Sequence, residues 1–249
     1  MSEKPQNGKL FISDDFMFDT LEGEGEYVGY PSVFMRLAMC NLTCKGFASE
    51  SSPYGCDSFI SWSVKNHMRF DEIIKYMEER NHHHKLKRGA IFKISGGEPI
   101  LQQKNLLKFF DYACDHWDFV PRIDFETNAT IMPLDAWREK YNATFTTSPK
   151  LASNGDAEEI RYKPEVLKKH VELGSGFKFV VANRDDIVEI FNKYIEPFNI
   201  DINRVWFMTC CGSREEHIER APQVAEWCKE FGVKFSPRLH LLLWNLALR

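Results

Sequence analysis

Ala90-Ile-Phe-Lys-Ile-Ser-Gly-Gly-Glu-Pro99 is the stretch whose reading decides the fold. A β-branched and aromatic run at 90–94 reads as a strand, and it stops at once in a polar, glycine-rich cluster, Ser95 to Pro99. The same unit recurs. Strands are expected at 32–38, 122–125, 143–147, 177–181, 204–208 and 233–235, and the clusters CNLTC, ETNAT, SPK, VANRDD, MTCCGS and SPRLH follow them. Helical periodicity fills the intervals. Phe70, Ile73, Ile74 and Met77 fall at i, i+3, i+4 and i+7, and further patterns run over 106–113, 166–173, 187–195 and 215–231, with Asp71, Asp185 and Ser213 suited to helix beginnings. Strands alternating with helices imply a parallel sheet with right-handed crossovers, either doubly wound or curved toward a barrel. Seven strands fall short of a full eight-unit barrel. In both architectures the clusters share the carboxyl edge of the sheet, where ligands bind, so the chemistry is expected to converge there.

A chain of 249 residues with 43% hydrophobic content can bury one large core, and a single domain over 1–249 is expected. Its 32 basic and 36 acidic residues are interspersed and leave a net charge of −4, so no strong field favours nucleic acid or an anionic membrane, and neither is expected as a partner. No apolar run approaches the roughly 18–20 residues that span a bilayer, and the start is polar, so a soluble, cytoplasmic protein is expected. The run His82-His83-His84 with Lys85 to Arg88 reads as a solvated helix end and loop, and the Trp and Phe residues at helical spacing read as core.

Seven cysteines in such a chain are more readily explained by metal binding or burial than by disulfides. Three of them form the pattern Cys40-Asn-Leu-Thr-Cys44, eleven residues, Cys56-Asp-Ser, that is C-x3-C-x11-C. Structural zinc is closed by four ligands, and an ordinary [4Fe-4S] cluster takes four thiolates; three would leave one iron open to a cofactor or substrate. The cysteines alone leave open a zinc knuckle completed by a histidine, and buried cysteines acting as small hydrophobes. Cys210 and Cys211 read as packed thiols rather than further ligands.

The wider context of these cysteines carries a resemblance. Glu22-Gly-Glu-Gly-Glu-Tyr-Val-Gly-Tyr-Pro-Ser-Val-Phe-Met-Arg-Leu-Ala-Met-Cys-Asn-Leu-Thr-Cys44, with Cys56-Asp-Ser and Trp62, resembles the opening of the 7-carboxy-7-deazaguanine synthase family of the radical S-adenosylmethionine (SAM) superfamily. The similarity continues in order through Ser95-Gly-Gly-Glu-Pro99, Glu126-Thr-Asn128, Ser148-Pro-Lys150 and Ser236-Pro-Arg-Leu-His240, spanning about residues 18–240. It implies an incomplete TIM-type barrel of parallel strands with outer helices, the radical SAM core, and a [4Fe-4S] cluster on Cys40, Cys44 and Cys56. The expanded cluster-binding loop would occupy about 40–58, with nine more residues between Cys44 and Cys56 than the compact C-x3-C-x2-C form.

The resemblance further implies that the free iron chelates the amino and carboxylate groups of SAM, whose cleavage gives a 5'-deoxyadenosyl radical. SAM would be met by Gly55, Asp57, Gly96, Gly97, Glu98, Ser148, Pro149 and Lys150, with Glu98 accepting from the methionine ammonium. Family members convert 6-carboxy-5,6,7,8-tetrahydropterin to 7-carboxy-7-deazaguanine with loss of ammonia, a step in queuosine and other 7-deazaguanine synthesis. That substrate would contact Leu21, Glu22, Gly23, Glu24, Arg36, Ser95 and His240. Arg36 suits its carboxylate bidentately and the glutamates suit its N–H edge. Ser58 stands where the family has a Thr that ligates Mg2+, and it keeps the oxygen. Glu22 stands where Gln is common, the Met-Pro-x-Gly-like loop is replaced by Met208 to Ser213 without its Pro, and Ala129 replaces a common Gly, a harmless change if its φ is negative. An external electron donor such as a flavodoxin and a homodimer are implied as partners. The rival readings are a radical SAM activase acting on a protein partner and a non-enzymatic zinc-binding module.

Overall fold

A computed structural model describes residues 7–48, 53–64 and 66–245. The polar start at 1–6, the middle of the enlarged cysteine loop at 49–52, residue 65 and residues 246–249 lie outside the described residues, so the expectations for 1–249 and 40–58 extend beyond them.

Among the described residues nine strands form: β1 (Lys9–Leu21), β2 (Pro31–Leu37), β3 (Asn66–Arg69), β4 (Ile91–Gly96), β5 (Arg122–Thr127), β6 (Thr144–Thr147), β7 (Gly176–Val181), β8 (Val205–Thr209) and β9 (Lys234–Ser236). The helices are α1 (Phe59–Ser63), α2 (Phe70–Glu79), α3 (His82–Lys87), α4 (Gln103–Trp117), α5 (Ala136–Tyr141), α6 (Glu158–Arg161), α7 (Pro164–Glu172), α8 (Arg184–Glu189), α9 (Glu196–Phe198), α10 (Arg214–Phe231) and α11 (Leu239–Trp244). The strands make one sheet in the order β3-β1-β2-β4-β5-β6-β7-β8-β9, open at both edges. From β2 to β9 every neighbour is parallel, and β1 pairs antiparallel with both β2 and β3. All seven strands read from the sequence are present, and the incomplete parallel barrel expected of them is what they build.

Strand alternation explains both faces of this sheet. Register sets Phe34 beside Lys93, Arg36 beside Ser95, Lys93 beside Asp124 and Glu126 beside Thr146, so these side chains share the concave face. The intervening residues Val33, Met35, Phe92, Ile94, Phe125 and Phe145 face the helices, where Phe70 and Ile73 of α2, Phe109 and Phe110 of α4 and Trp137 of α5 complete a core. A second cluster joins Phe177, Phe179 and Phe207 to Ile187, Tyr194 and Val224. Truncating a fully buried Phe such as Phe110 costs about 3–5 kcal/mol.

Several local expectations are corrected. The 187–195 pattern is not one α-helix: α8 gives way to a π-helix at Ile190–Ile195. Asp71 and Asp185 do stand at helix beginnings, in the first turns of α2 and α8, and Ser213 caps α10, its Oγ accepting from Glu216 N at 3.1 Å. His82 is not solvated. It begins α3, is 2% exposed and sets Nε2 3.3 Å from Asp19. Ala129 has φ +58°, so a methyl occupies the left-handed region for which the common Gly is suited. β1 escaped sequence reading because its apolar alternation is interrupted at Ser13, Asp14 and Asp15, where the register with β2 jumps from Ile12↔Leu37 to Met17↔Met35; Asp15 there pairs with Arg36 at 2.5 Å. Among the described residues no helix is long and apolar enough to cross a membrane.

Candidate active site

The polar clusters meet in a cavity of about 250 Å³ at the carboxyl edge. Of the residues predicted to form the site, all line it except Glu98 and Pro149.

Cys40, Cys44 and Cys56 are part of its wall. Cys40 leaves β2 through Met39, whose φ of +74° turns the chain sharply, and Cys44 itself sits at φ +52°. Strain of this kind survives only where the surroundings fix it. Met39 N donates to Trp62 O at 2.9 Å, Met39 O accepts from Glu98 N at 2.9 Å, and Gly97 N donates to Leu37 O at 3.0 Å. The glycine pair is required by that docking. A Cβ on Gly96 would lie 2.1 Å from Leu37 O, and one on Gly97 would lie 2.0 Å from Met39 O. Gly55, at φ +83°, leaves no room either, since its Cβ would come within 2.3 Å of Cys44 O. Burial pushes the Cys40 thiol up to about 11 and the Cys56 thiol up to about 12, and raises Cys44 as well. Without a metal they are thiols; a soft cation would take them as thiolates.

Glu98 is fully buried behind this turn. Oε1 accepts from Thr127 Oγ1 at 2.8 Å and Ile100 N at 3.0 Å, and Oε2 accepts from Asn128 N at 2.7 Å. Its carboxylate therefore staples SGGEP to ETNAT and is no part of the cavity wall. Lys150 does reach the cavity. Its Nζ donates to Ser148 O at 2.8 Å and Ser148 Oγ at 2.9 Å, while its carbonyl is held by Arg161 Nη1 and Tyr194 Oη, both at 2.9 Å.

The cavity also borders a layer of buried charge. Lys93 Nζ lies 2.7 Å from Asp124 and 3.1 Å from Glu22, and Asp124 also accepts from Thr144 and Thr146. Lys178 pairs with Glu24 and Glu126, and Arg238 binds Glu24 at 3.0 Å, Asp57 at 2.5 Å and the Cys211 carbonyl. Burial alone would raise the Glu24 carboxyl, but Lys178 and Arg238 hold it well below the usual carboxylate range. Burial wins at Glu22, whose carboxyl is raised. Glu22, Glu24, Asp57, Asp124 and Glu126 thus interlock with Lys93, Lys178 and Arg238 in one buried ion-pair layer. Gly23 lets His240 in: its Cβ would fall 2.5 Å from Nδ1. Burial pushes His240 down to about 4, so it is neutral at pH 7; the residue lines the cavity, and its Nε2 is buried 4.0 Å from Glu24 Oε1 without a hydrogen-bond partner among the described residues. Arg36 lies over the Phe18 ring at 4.7 Å and beside Ser95. Ser58 Oγ sits 3.2 Å from Asp57 Oδ1.

Lys93, Asp124, Lys178 and Thr209 were not singled out from sequence. The signal existed for the lysines, since Phe-Lys-Ile and Phe-Lys-Phe each place a cation inside an otherwise apolar strand, which burial tolerates only when paired. Cys210 and Cys211 line the cavity at the end of β8. Cys211 Sγ packs 3.5 Å from Thr209 O and 3.6 Å from His217 Nδ1.

Cys40, Cys44 and Cys56 all line one cavity at the carboxyl edge of an open parallel barrel, with a tight Gly-Gly turn and Lys150 in the same wall. Among the described residues no three His, Cys, Asp or Glu side chains converge on a single metal ion, but three soft donors opening on one cavity suit a [4Fe-4S] cluster with SAM, and the fold and site define a radical SAM enzyme. No protein-family model matches the chain. It is 34% identical over 242 residues to the 7-carboxy-7-deazaguanine synthase of Koribacter versatilis, covering 92% of this chain and 95% of that one. To the synthase of Pyrobaculum aerophilum it is 29% identical over 236 residues, covering 93% and 94%. The fold matches the crystal structure of QueE from Escherichia coli with a TM-score of 0.65 at 18% identity, over 93% of this chain and 95% of that one. The chain belongs to the 7-carboxy-7-deazaguanine synthase family.

Proposed function

We propose that this chain converts 6-carboxy-5,6,7,8-tetrahydropterin to 7-carboxy-7-deazaguanine with loss of ammonia, using SAM and a [4Fe-4S] cluster on Cys40, Cys44 and Cys56. The observation that carries this reading is one cavity lined by the three cysteines together with Glu22, Glu24, Asp57, Glu126, Lys178 and Arg238 of the buried charge layer. When bound, the cluster and SAM supply an electron and a 5'-deoxyadenosyl radical able to take hydrogen from carbon.

The chain's own residues bind, orient and exclude water. Lys150, held by Ser148, Arg161 and Tyr194, offers a fixed cation to the carboxylate of SAM. Ser148, Gly55, Gly96 and Gly97 shape the adjoining wall, while Glu98 and Pro149 act from behind it. Arg36 and Ser95 meet the carboxylate of the pterin, the ionised Glu24 accepts from its guanidine-like edge, and His240, whose Nε2 makes no hydrogen bond to the described residues, stands beside Glu24. Ser58 beside Asp57 supplies an oxygen pair for Mg2+. In the same reading the protein is a cytoplasmic, single-domain homodimer that takes its electron from an external donor such as a flavodoxin. Supporting it are nine strands in one sheet, interspersed charge, and Leu242, Leu243 and Trp244 of α11 exposed together.

Anaerobic reconstitution followed by incubation with SAM, Mg2+, dithionite and the pterin tests it: 7-carboxy-7-deazaguanine should form. Cleavage of SAM with the pterin untouched would move the chain to other radical SAM chemistry, and absence of an iron–sulfur chromophore would end the reading altogether.

A further inference from the structure

Two side-chain N–H donors point at two of the three sulfurs. Trp62 Nε1 lies 3.4 Å from Cys56 Sγ, and Asn154 Nδ2 lies 3.6 Å from Cys44 Sγ. Both donors are held in place by other contacts. Trp62 lies in α1, its carbonyl accepts from Met39 N, and its ring packs edge-on against Phe59, which stacks on Tyr54. Asn154 is fully buried; its Oδ1 accepts from Asp156 N at 2.9 Å and its Nδ2 also donates to Asp156 Oδ2 at 2.9 Å, which settles that nitrogen and not oxygen faces the sulfur. Asp156 in turn accepts from Thr43 N, from Thr43 Oγ1 at 2.7 Å and from Cys44 N at 3.0 Å. The seam is tight, since a Cβ on Gly46 would lie 2.2 Å from Ser153 O. The turn that follows Ser148-Pro-Lys150 is therefore fitted to the enlarged cysteine loop.

Hydrogen bonds to ligating sulfur draw charge off it and favour the more negative, reduced cluster, one of the means by which a protein sets a cluster's potential. We infer that Trp62 and Asn154 are positioning residues that raise the reduction potential of the cluster through N–H···S bonds to Cys56 and Cys44. The inference rests on the reading that the three cysteines hold a cluster. Backbone amides of Leu42 and Ser58 also serve Cys40 and Cys56, but only the two side-chain donors can be removed without touching the main chain.

The test is potentiometry of the reconstituted full chain followed by electron paramagnetic resonance, with iron and sulfide content measured alongside. Trp62→Phe keeps the ring and deletes the N–H, and Asn154→Leu keeps the approximate shape and deletes the donor. Each should move the midpoint to a more negative value at unchanged iron and sulfide, and the double variant should move it by about the sum, because the two bonds reach different sulfurs. Unchanged midpoints in variants with intact clusters would overturn the inference while leaving the proposed function standing. If a variant fails to hold its cluster, the unsubstituted protein decides. With 15N in the tryptophan indole or the asparagine amide, pulsed resonance of the reduced cluster should show a nitrogen coupling through each bond, and absence of both couplings would equally overturn it. A wild-type chain that takes up no cluster instead refutes the function on which the inference depends.

Discussion

Glu98 shows how one buried side chain can be both structural and costly. Burial pushes its carboxyl from 4.5 up to about 7, against the pull of the bonds from Asn128, Ile100 and Thr127. Between those two values the folded chain holds a proton that the unfolded chain has released, so the contribution of Glu98 to stability is fullest below about pH 4.5 and is lost as pH rises toward 7. Measured by urea unfolding, the stability of wild type relative to Glu98→Gln should therefore fall by roughly 3 kcal/mol between pH 4.5 and 7.5. A difference that does not change with pH would contradict this. Lys178 poses the opposite problem, because it is the cation that Glu24 and Glu126 share. Lys178→Met should cost about 3–5 kcal/mol of unfolding free energy measured in urea by leaving two carboxylates facing each other, and adding Glu126→Gln should recover part of it. A loss under about 1 kcal/mol would show the layer to be solvated. At this scale the sequence was legible where chemistry imposes spacing, as in the cysteines and Ser95 to Pro99. It was not legible for Glu98, whose oxygens turned out to bind backbone and Thr127, because a motif names a residue type and not the direction its side chain takes.

Among the elements, the seven parallel strands could be read because each is a compact apolar run ended by a polar cluster. β1 and β3 could not, since Ser13, Asp14 and Asp15 break the alternation of the first, and the second is Asn-His-Met-Arg, polar and mostly exposed at the sheet edge. The π-helix at Ile190–Ile195 was equally hidden, although its Tyr194 is what reaches the Lys150 carbonyl. The join between the Gly-Gly turn and the cysteine loop is where an element-level change should tell most. Gly97→Ala drives a methyl to 2.0 Å from Met39 O and should cost about 1–3 kcal/mol together with loss of iron on reconstitution. Gly232→Ala, at φ +68° with open space around it, should cost about 1 kcal/mol and leave iron content unchanged. Equal iron retention in the two variants would mean that the turn does not support the loop.

At the scale of the whole molecule, the division of labour follows from strand alternation: the outer face of the sheet carries the phenylalanines that hold the helices, and the concave face carries lysines and carboxylates that pair with one another beside the cavity. The carboxyl-edge convergence was legible from the order of the clusters along the chain. The charge layer was not, because its ion pairs join residues as distant as Glu24 and Lys178 and depend on how far the sheet curves. The central claim remains that one iron is left open by a set of three thiols, although Cys210 and Cys211 line the same cavity and offer a fourth. The most direct measurement is electron–nuclear double resonance of the reduced, reconstituted protein with SAM labelled with 15N at its amino group and 17O at its carboxylate. Strong couplings from both labels, unchanged in a Cys210→Ala/Cys211→Ala variant, are predicted; a cluster that shows neither coupling, closed by a fourth protein ligand, would contradict the account.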